Sequence, residues 1–340
     1  MSNMSLKTIL IILIITELTL SHQRLHPLFC YQQVGPSPLA DILDTNIPRN
    51  KGIFLIETSC LSKHFQQITL ERRQLCALES VAKTNPNKNI YMVFVAKARL
   101  PIQDTNPSSK MVMELQKSYK NIYFVNLNYV EYVENTPVQD VAMTIVEKLT
   151  LHSYSYAEDI LKLLTLWRFG GITLDLDVIV LKSLHKMPRN FLGAESDSRI
   201  GSAVMGFSSE EFGHEYVTKM LEEYWKTFIL KSRGGSDFTT KIIKMICKET
   251  NTSAIIQRGC EAIKIYPSEF FYPIPWTNWT QLFDARENEN VWKLIEKSFV
   301  VNFWGSRSFS KKLRVNSFAP YVDIARSFCP KVFNLMNDYL

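Results

Sequence analysis

The stretch Ala157–Leu184 decides the fold, and it reads AEDILKLLTLWRFGGITLDLDVIVLKSL. Isoleucine and leucine recur at helical spacing between Ile160 and Leu166, which predicts a helix. We predict Asp159 in its first turn, where a negative charge suits the helix dipole. The pair Gly170-Gly171 predicts the end of this helix, because glycine adopts the left-handed cap conformation without a Cβ clash.

Two aspartates interrupt the apolar run that follows. The run from Ile172 to Leu181 is rich in β-branched residues, which predicts a buried strand that contains Asp175 and Asp177. Side chains two apart in an extended chain point to the same face. Without a partner, both carboxylates would lose hydration and repel each other. A divalent cation removes this conflict, so the pair indicates a metal site; the alternative is a strand-end turn with both aspartates solvated.

The same segment resembles the donor-binding D-x-D region of the α-1,4-glycosyltransferases. GGITLDLDVIVLKSL, residues 170–184, matches the family pattern GG(I/V)YLDxDxIxLKxL except at Thr173, where tyrosine is usual. IFLIETSC (53–60), CALESVAKTNP (76–86) and the C-terminal stretches 266–283 and 300–308 are similar to further family elements. The yeast-type α-1,6-mannosyltransferases share only the D-x-D segment, so the C-terminal elements favour the α-1,4 family.

The resemblance implies an α/β fold: a GT-A-type, Rossmann-like nucleotide-sugar-binding domain with a mostly parallel sheet flanked by helices. The alternation of predicted strands and helices between residues 52 and 127 also favours a parallel, doubly wound sheet. In such sheets, ligands lie outside the carboxyl ends of the strands. Glu57 and Thr58 fall at one such end, and Asp175 and Asp177 fall at another if their strand ends there.

The resemblance further implies a retaining transfer of galactose or N-acetylgalactosamine from a UDP-sugar to a galactose-terminated glycan, on a glycolipid acceptor. We predict Asp175 and Asp177 as the catalytic pair, with Asp177 binding Mn²⁺ directly and Asp175 holding the ribose or a metal-bound water. Asn302 stands where histidine is usual, so it either ligates Mn²⁺ through its amide oxygen or leaves that position to water. The residues that we predict at the cofactor are Glu57, Thr58, Asp159, Gly171 and Asp175.

A second hypothesis is an inactive, glycosyltransferase-like module that binds carbohydrate or assists a partner enzyme. It rests on four departures from the family pattern: Thr173, Ser236, Asn302 and Gly305. The net charge of +6 is modest and dispersed along the chain, which does not favour nucleic-acid binding.

The six cysteines contain no C-x-x-C, so a structural zinc site is not expected. Their even number favours disulfides in an oxidising compartment over six buried thiols. The pairs Cys60–Cys76 and Cys247–Cys260 would close short loops, and the family resemblance also implies the first of them. Cys30–Cys329 is then the remaining pair.

The predicted organisation has three parts. Residues 1–21 contain the apolar run Ile9–Ile15, which suits a cleaved signal peptide or a membrane anchor. Residues 22–50 form a stem or linker, and residues 51–340 form a lumenal catalytic domain. The resemblance implies a single-pass type II protein of the Golgi membrane, and two N-glycosylation sequons, at Asn251 and Asn278, agree with a lumenal domain.

Overall fold

The computed structural model describes residues 30–32, 35–147, 153–229 and 234–340. The predicted N-terminal segment therefore lies outside the described residues. The described part of the predicted linker packs on the domain: Leu39, Ile42 and Ile47 are buried, and the Ile42 backbone N–H donates to the Asn126 carbonyl over 2.8 Å. Among the described helices, none has the length and apolar character to span a bilayer.

Strands and helices alternate through the first half of the domain, as predicted. The strands are β1 (Ile53–Glu57), β2 (Ile90–Phe94), β3 (Ile122–Asn126), β4 (Gly171–Leu174), β5 (Val178–Val180), β6 (Phe191–Ser196), β7 (Arg199–Phe207), β8 (Lys264–Tyr266) and β9 (Val300–Asn302). The α-helices are α1 (Leu61–His64), α2 (Arg72–Thr84), α3 (Pro107–Ser118), α4 (Tyr129–Val133), α5 (Gln139–Glu147), α6 (Ser153–Phe169), α7 (Glu211–Ile229), α8 (Gly235–Cys247), α9 (Thr252–Arg258), α10 (Ser268–Phe271), α11 (Asn288–Leu294), α12 (Gly305–Ser308), α13 (Pro320–Phe328) and α14 (Pro330–Phe333). Two 3₁₀ segments cover Trp276–Phe283 and Ala285–Glu287.

A seven-stranded sheet with the order β3-β2-β1-β4-β7-β6-β8 forms the centre of the domain. All of its strands run in one direction except β7, which is antiparallel to both β4 and β6. Every residue of β1 is buried, as expected for a central strand that is covered on both faces. Helices pack over both faces, and the predicted mostly parallel α/β sheet is confirmed.

The Gly170-Gly171 pair ends α6, as predicted. Both residues have positive φ, +62° and +102°, and a Cβ on Gly171 would lie only 2.4 Å from the carbonyl oxygen of Gly52. The start of the helix was predicted wrongly, because α6 begins at Ser153. Asp159 therefore lies in the second turn, beyond the first-turn N–H groups that a helix dipole argument concerns.

The two aspartates lie in a tight turn and not inside one continuous strand, which corrects the sequence analysis. β4 pairs with β1 and β7 only as far as Leu174, and the chain turns through Asp175–Asp177 before β5 begins. β5 leaves the large sheet and pairs with β9 in a separate two-stranded sheet. Tertiary pairing divides an apolar run that reads locally as one strand.

Three disulfides link all six cysteines, but two of the predicted pairs were wrong. The pairs are Cys30–Cys60, Cys76–Cys329 and Cys247–Cys260, with Cα–Cα distances of 5.5, 5.0 and 5.4 Å. Only Cys247–Cys260 was predicted correctly. The Cys76–Cys329 bridge joins α2 to the end of α13 across 253 residues, so loop length could not identify it.

Candidate active site

The carboxyl ends of β1 and β4 meet at the floor of a cavity of about 1090 Å³. These strands are neighbours, with Leu55 opposite Leu174, so the residues that follow each strand meet at one edge of the sheet. Four of the predicted site residues come together here: Glu57, Thr58, Asp175 and Asp177. The ligand position expected from a parallel sheet therefore coincides with the aspartate pair.

Asp177 combines one satisfied and one unsatisfied carboxylate oxygen. Its Oδ2 accepts a hydrogen bond from the Gly305 backbone N–H over 2.8 Å. Its Oδ1 is buried and has no hydrogen-bond partner among the described residues. Burial, and then the charge of Asp175, raise the pKa of Asp177 to about 7. A buried acceptor without a partner is costly, so this oxygen suits a cation or a donor from a ligand.

Asp175 is held by a buried lysine from the preceding helix. Lys162 Nζ lies 2.7 Å from Asp175 Oδ1, and only 4% of the lysine is exposed. Glu158 and Asp159 also lie within 3.8 Å of Nζ. Burial opposes the lysine charge, but the three carboxylates outweigh it and raise the pKa of Lys162 above its ordinary range. Lys162 thus fixes the orientation of Asp175.

Glu158 and Lys162 are site residues that the sequence analysis did not identify. Glu158 lines the cavity, and burial raises its pKa to about 7, against the lowering effect of Lys162. The available signal was their i, i+4 spacing on the helix that precedes the aspartate pair, which puts both side chains on one face. The regular apolar spacing of that helix made this charged pair difficult to recognise from the sequence.

Glu57 presents a second buried carboxylate to the same cavity. Its Oε1 accepts a hydrogen bond from the Ser59 backbone N–H over 2.8 Å, while Oε2 is buried without a partner among the described residues. Burial raises the pKa of Glu57 to about 7. The carboxylate is thus poised to accept a donor from a ligand in the cavity.

Three other predicted residues lie elsewhere or are otherwise engaged. Asp159 Oδ2 accepts hydrogen bonds from Tyr224 Oη and the Gly235 N–H, 2.8 and 2.6 Å away, and so anchors the start of α8. Gly171 lies at the amino end of β4, at the edge of the sheet opposite the cavity. Asn302 lies opposite Val178, beside the aspartate turn, but its Oδ1 accepts a hydrogen bond from its near neighbour, the Trp304 N–H, over 2.6 Å.

One wall of the cavity is rich in basic residues, which the sequence analysis did not predict. It is lined by the start of α2, with Arg72 and Arg73, and by the segment that contains Lys311 and Lys312. Arg73 donates to the carbonyl oxygens of Ser308 and Lys311, the former over 2.9 Å. The cavity therefore has an acidic floor and a basic wall.

Arg73 is also stacked inside the domain. Its guanidinium lies 5.0 and 5.3 Å from the ring centroids of Phe283 and Tyr321, and burial lowers its pKa. At the other end of the same wall, Asp177 holds Gly305. The segment Gly305–Lys312 is thus fixed at both ends, once by the aspartate turn and once by α2.

The donor set fits a divalent cation that receives further ligands from a substrate. Within the described part of the chain, no group of three or more His, Cys, Asp or Glu side chains has the arrangement of a metal site. Asp175 and Asp177 nevertheless lie together, and the unpartnered Oδ1 of Asp177 is a suitable ligand atom. Octahedral cations are often bound by one or two carboxylates together with substrate phosphates.

Two family models match successive parts of the chain. Residues 71–198 match a glycosyltransferase sugar-binding region containing the DXD motif, and residues 209–336 match the alpha 1,4-glycosyltransferase conserved region. Among curated relatives, lactosylceramide 4-alpha-galactosyltransferase of Homo sapiens is 25% identical over 295 residues, which is 86% of this chain and 79% of the relative. The alpha-1,4-N-acetylglucosaminyltransferase of Homo sapiens is 20% identical over 299 residues, covering 86% and 82% of the two chains.

Among solved structures, the galactosyltransferase LgtC in complex with donor and acceptor sugar analogues aligns with a TM-score of 0.43 and 14% identity, covering 84% of this chain and 96% of LgtC. The PaToxG glycosyltransferase aligns with a TM-score of 0.41 and 17% identity, covering 68% and 76%. The two family models together span most of residues 71–336, and the DXD motif of the first corresponds to the aspartate pair of the cavity. Both family models and the curated relatives therefore confirm the predicted resemblance to the α-1,4-glycosyltransferases.

Proposed function

We propose that this chain is a retaining α-1,4-hexosyltransferase that moves galactose or N-acetylgalactosamine from a UDP-sugar to a galactose-terminated glycan on a glycolipid. The observation that carries the proposal is the cavity with Asp175 and Asp177 on its floor and basic residues on one wall. A cation-bound nucleoside diphosphate carries charges of both signs, so it is complementary to a site with this charge arrangement.

The described side chains have separable tasks in such a reaction. Lys162 holds Asp175, and the Gly305 N–H holds Asp177, so the pair is oriented before the donor binds. Asp177 Oδ1 and Asp175 would hold Mn²⁺, which when bound would neutralise the charge that develops on the leaving diphosphate. Lys311 and Lys312, which also line the cavity, would contact the diphosphate.

Asn302 has a smaller role in this proposal. Its amide oxygen already accepts the Trp304 N–H, so we assign the corresponding metal position to water.

Glu57 and Thr58, at the end of β1, would contact the nucleotide. The exposed Trp276, whose ring centroid lies 5.0 Å from the Arg307 guanidinium, would offer its other face to a sugar of the acceptor.

UDP release by the purified chain tests this function. UDP-galactose, UDP-N-acetylgalactosamine and UDP-N-acetylglucosamine are each offered with a lactose-terminated acceptor, with Mn²⁺ or with a chelator. We expect release and transfer with one of the first two donors, and loss of both with the chelator. NMR of the product should show an α-linkage to the 4-hydroxyl of the terminal galactose; a β-linked product would contradict retention.

The inactive, carbohydrate-binding module is the second candidate. It is favoured by two observations: Lys162 already neutralises Asp175, and the amide oxygen of Asn302 is occupied. Calorimetry separates the two candidates, because UDP binding without turnover of any of the three donors would identify the module.

We also propose that the chain acts in the Golgi lumen, tethered to the membrane by its N-terminal segment as a type II protein. Three disulfides favour an oxidising compartment. Both sequon asparagines, Asn251 and Asn278, are exposed, as glycosylation requires. Microscopy of the tagged full chain, together with the endoglycosidase sensitivity of glycans attached to the chain, tests this placement.

A further inference from the structure

The segment Gly305–Phe318, between β9 and α13, concentrates positive charge on the surface. It reads GSRSFSKKLRVNSF, with four basic residues and no acidic one. The side chains of Arg307, Lys311, Lys312 and Arg314 are all exposed. No carboxylate of the described chain lies within ion-pair distance of any of them. The dispersed charge that we inferred from the whole sequence does not hold for this segment.

Two phenylalanines of the same segment project into solvent. Phe309 is 81% exposed and Phe318 is 78% exposed, the two highest values among the aromatic side chains of the described chain. Burying such a ring is favourable, so its exposure leaves apolar surface available to a partner. A single exposed apolar residue needs no explanation, but two rings among four unpaired cations form an amphipathic surface.

This surface is held by the fold. Arg73 binds the Ser308 and Lys311 carbonyls, the Leu340 N–H donates to the Leu313 carbonyl over 2.8 Å, and the Val315 N–H donates to Asp338 over 3.0 Å. Phe309 lies at the rim of the candidate active-site cavity. A partner that covers Phe309 therefore faces the opening through which an acceptor enters.

We propose that Gly305–Phe318 docks the domain on an anionic phospholipid bilayer, with Arg307 and Arg314 at the phosphate headgroups and Phe309 and Phe318 in the interface. Cations beside aromatic rings match the charge and polarity of such an interface. The docked domain presents its cavity to the membrane surface, where the sugars of a membrane-embedded acceptor project. This orientation rests on the proposed function, whereas the docking itself can be measured without turnover.

Site-specific fluorescence tests the docking on the full chain. All six cysteines of the sequence are paired in disulfides, so an introduced cysteine is the single thiol. Phe309→Cys is labelled with an NBD dye, and Phe212→Cys, an exposed aromatic position at the opposite edge of the sheet, serves as the matched control. Each labelled chain is combined with vesicles of phosphatidylcholine alone or with about 30% phosphatidylserine, which supplies anionic headgroups for the basic residues.

We expect the dye at position 309 to shift to the blue, gain intensity and become quenched by doxyl lipid in the phosphatidylserine vesicles only. The dye at position 212 should show none of these changes. Arg307→Gln with Arg314→Gln should weaken docking about fivefold per charge removed, the factor given by about 1 kcal/mol for each basic residue. Lys186→Gln with Arg189→Gln, at the opposite edge, removes equal charge and should leave docking unchanged.

Equal signals at positions 309 and 212 would show attachment through the N-terminal segment alone and overturn the proposal. So would a blue shift at position 309 that depends on protein concentration and not on lipid, which would indicate a second copy of the chain. Neither result involves UDP release, so the docking proposal and the proposed transferase activity are tested independently.

Discussion

Replacing each aspartate of the cavity by asparagine should have opposite effects on stability, although both changes abolish activity. In the folded chain, Asp177 has a pKa of about 7, against an ordinary value of 3.8. A raised carboxyl pKa means that folding favours the protonated form, so stability is highest below pH 4 and is lost as pH rises towards 7. At pH 8 the full penalty is present, and Asp177→Asn removes it.

The shift in the pKa of Asp177 corresponds to a penalty of at most about 4 kcal/mol at 1.36 kcal/mol per pH unit. Because the interaction with Asp175 is shared and solvent screens part of it, we expect Asp177→Asn to raise the free energy of unfolding by about 1–2 kcal/mol. The asparagine oxygen can still accept the Gly305 N–H. Asp175→Asn instead leaves the Lys162 charge with only Glu158 and Asp159, which should cost about 2 kcal/mol.

Urea denaturation at pH 8 in the presence of a chelator measures both stabilities, and UDP release with Mn²⁺ measures both activities. Turnover should fall at least about 100-fold in Asp177→Asn, the loss typical of removing one electrostatic contact to a transition state. The reasoning fails if Asp177→Asn is as unstable as Asp175→Asn. It also fails if Asp177→Asn turns over donor at the wild-type rate, because Asp177 would then not be the metal ligand.

Three further predictions concern residues around the pair. In the wild-type chain, the free energy of unfolding should decline between about pH 4.5 and 7, because the buried Glu57 carboxyl keeps its proton to about pH 7 while the unfolded chain releases it near pH 4.5. Glu57→Gln should remove this decline, which is worth at most about 3 kcal/mol. An unchanged pH profile in urea titrations would contradict this. Asn302→His should tighten Mn²⁺ binding at least about tenfold by calorimetry with UDP present, because it adds a protein ligand at the position that we assign to water. Asn302→Ala is the control, and equal affinities would exclude the position from the metal shell. Arg73→Met keeps the packing between Phe283 and Tyr321 but loses the hydrogen bonds to the Ser308 and Lys311 carbonyls. Proteolysis within residues 305–312 should therefore accelerate, and KM for the donor should rise more than kcat falls. An unchanged cleavage rate would show that the segment is held without Arg73.

The accuracy of the sequence analysis varied with the range of the interactions involved. The end of α6 at Gly170-Gly171 and the strand that ends at Glu57 were predicted correctly, because their signals are local periodicity and local backbone conformation. The position of Glu57 and the aspartates at neighbouring strand ends followed from the parallel order of the sheet. Glu158 and Lys162 were hidden, because a charged pair inside an apolar helix gives little signal until its partner Asp175 is in place.

By itself, the sequence determined the α/β alternation, the glycine stop before the D-x-D segment and the strand end that carries Glu57, since each depends on residues close together in the chain. Only the tertiary structure decided that Asp175 and Asp177 lie in a turn, because β5 pairs with β9 from 120 residues further along the chain. It also decided that Cys76 bridges Cys329 and that Arg73 holds the basic wall. These contacts join segments more than 100 residues apart, and packing of the whole core selects them.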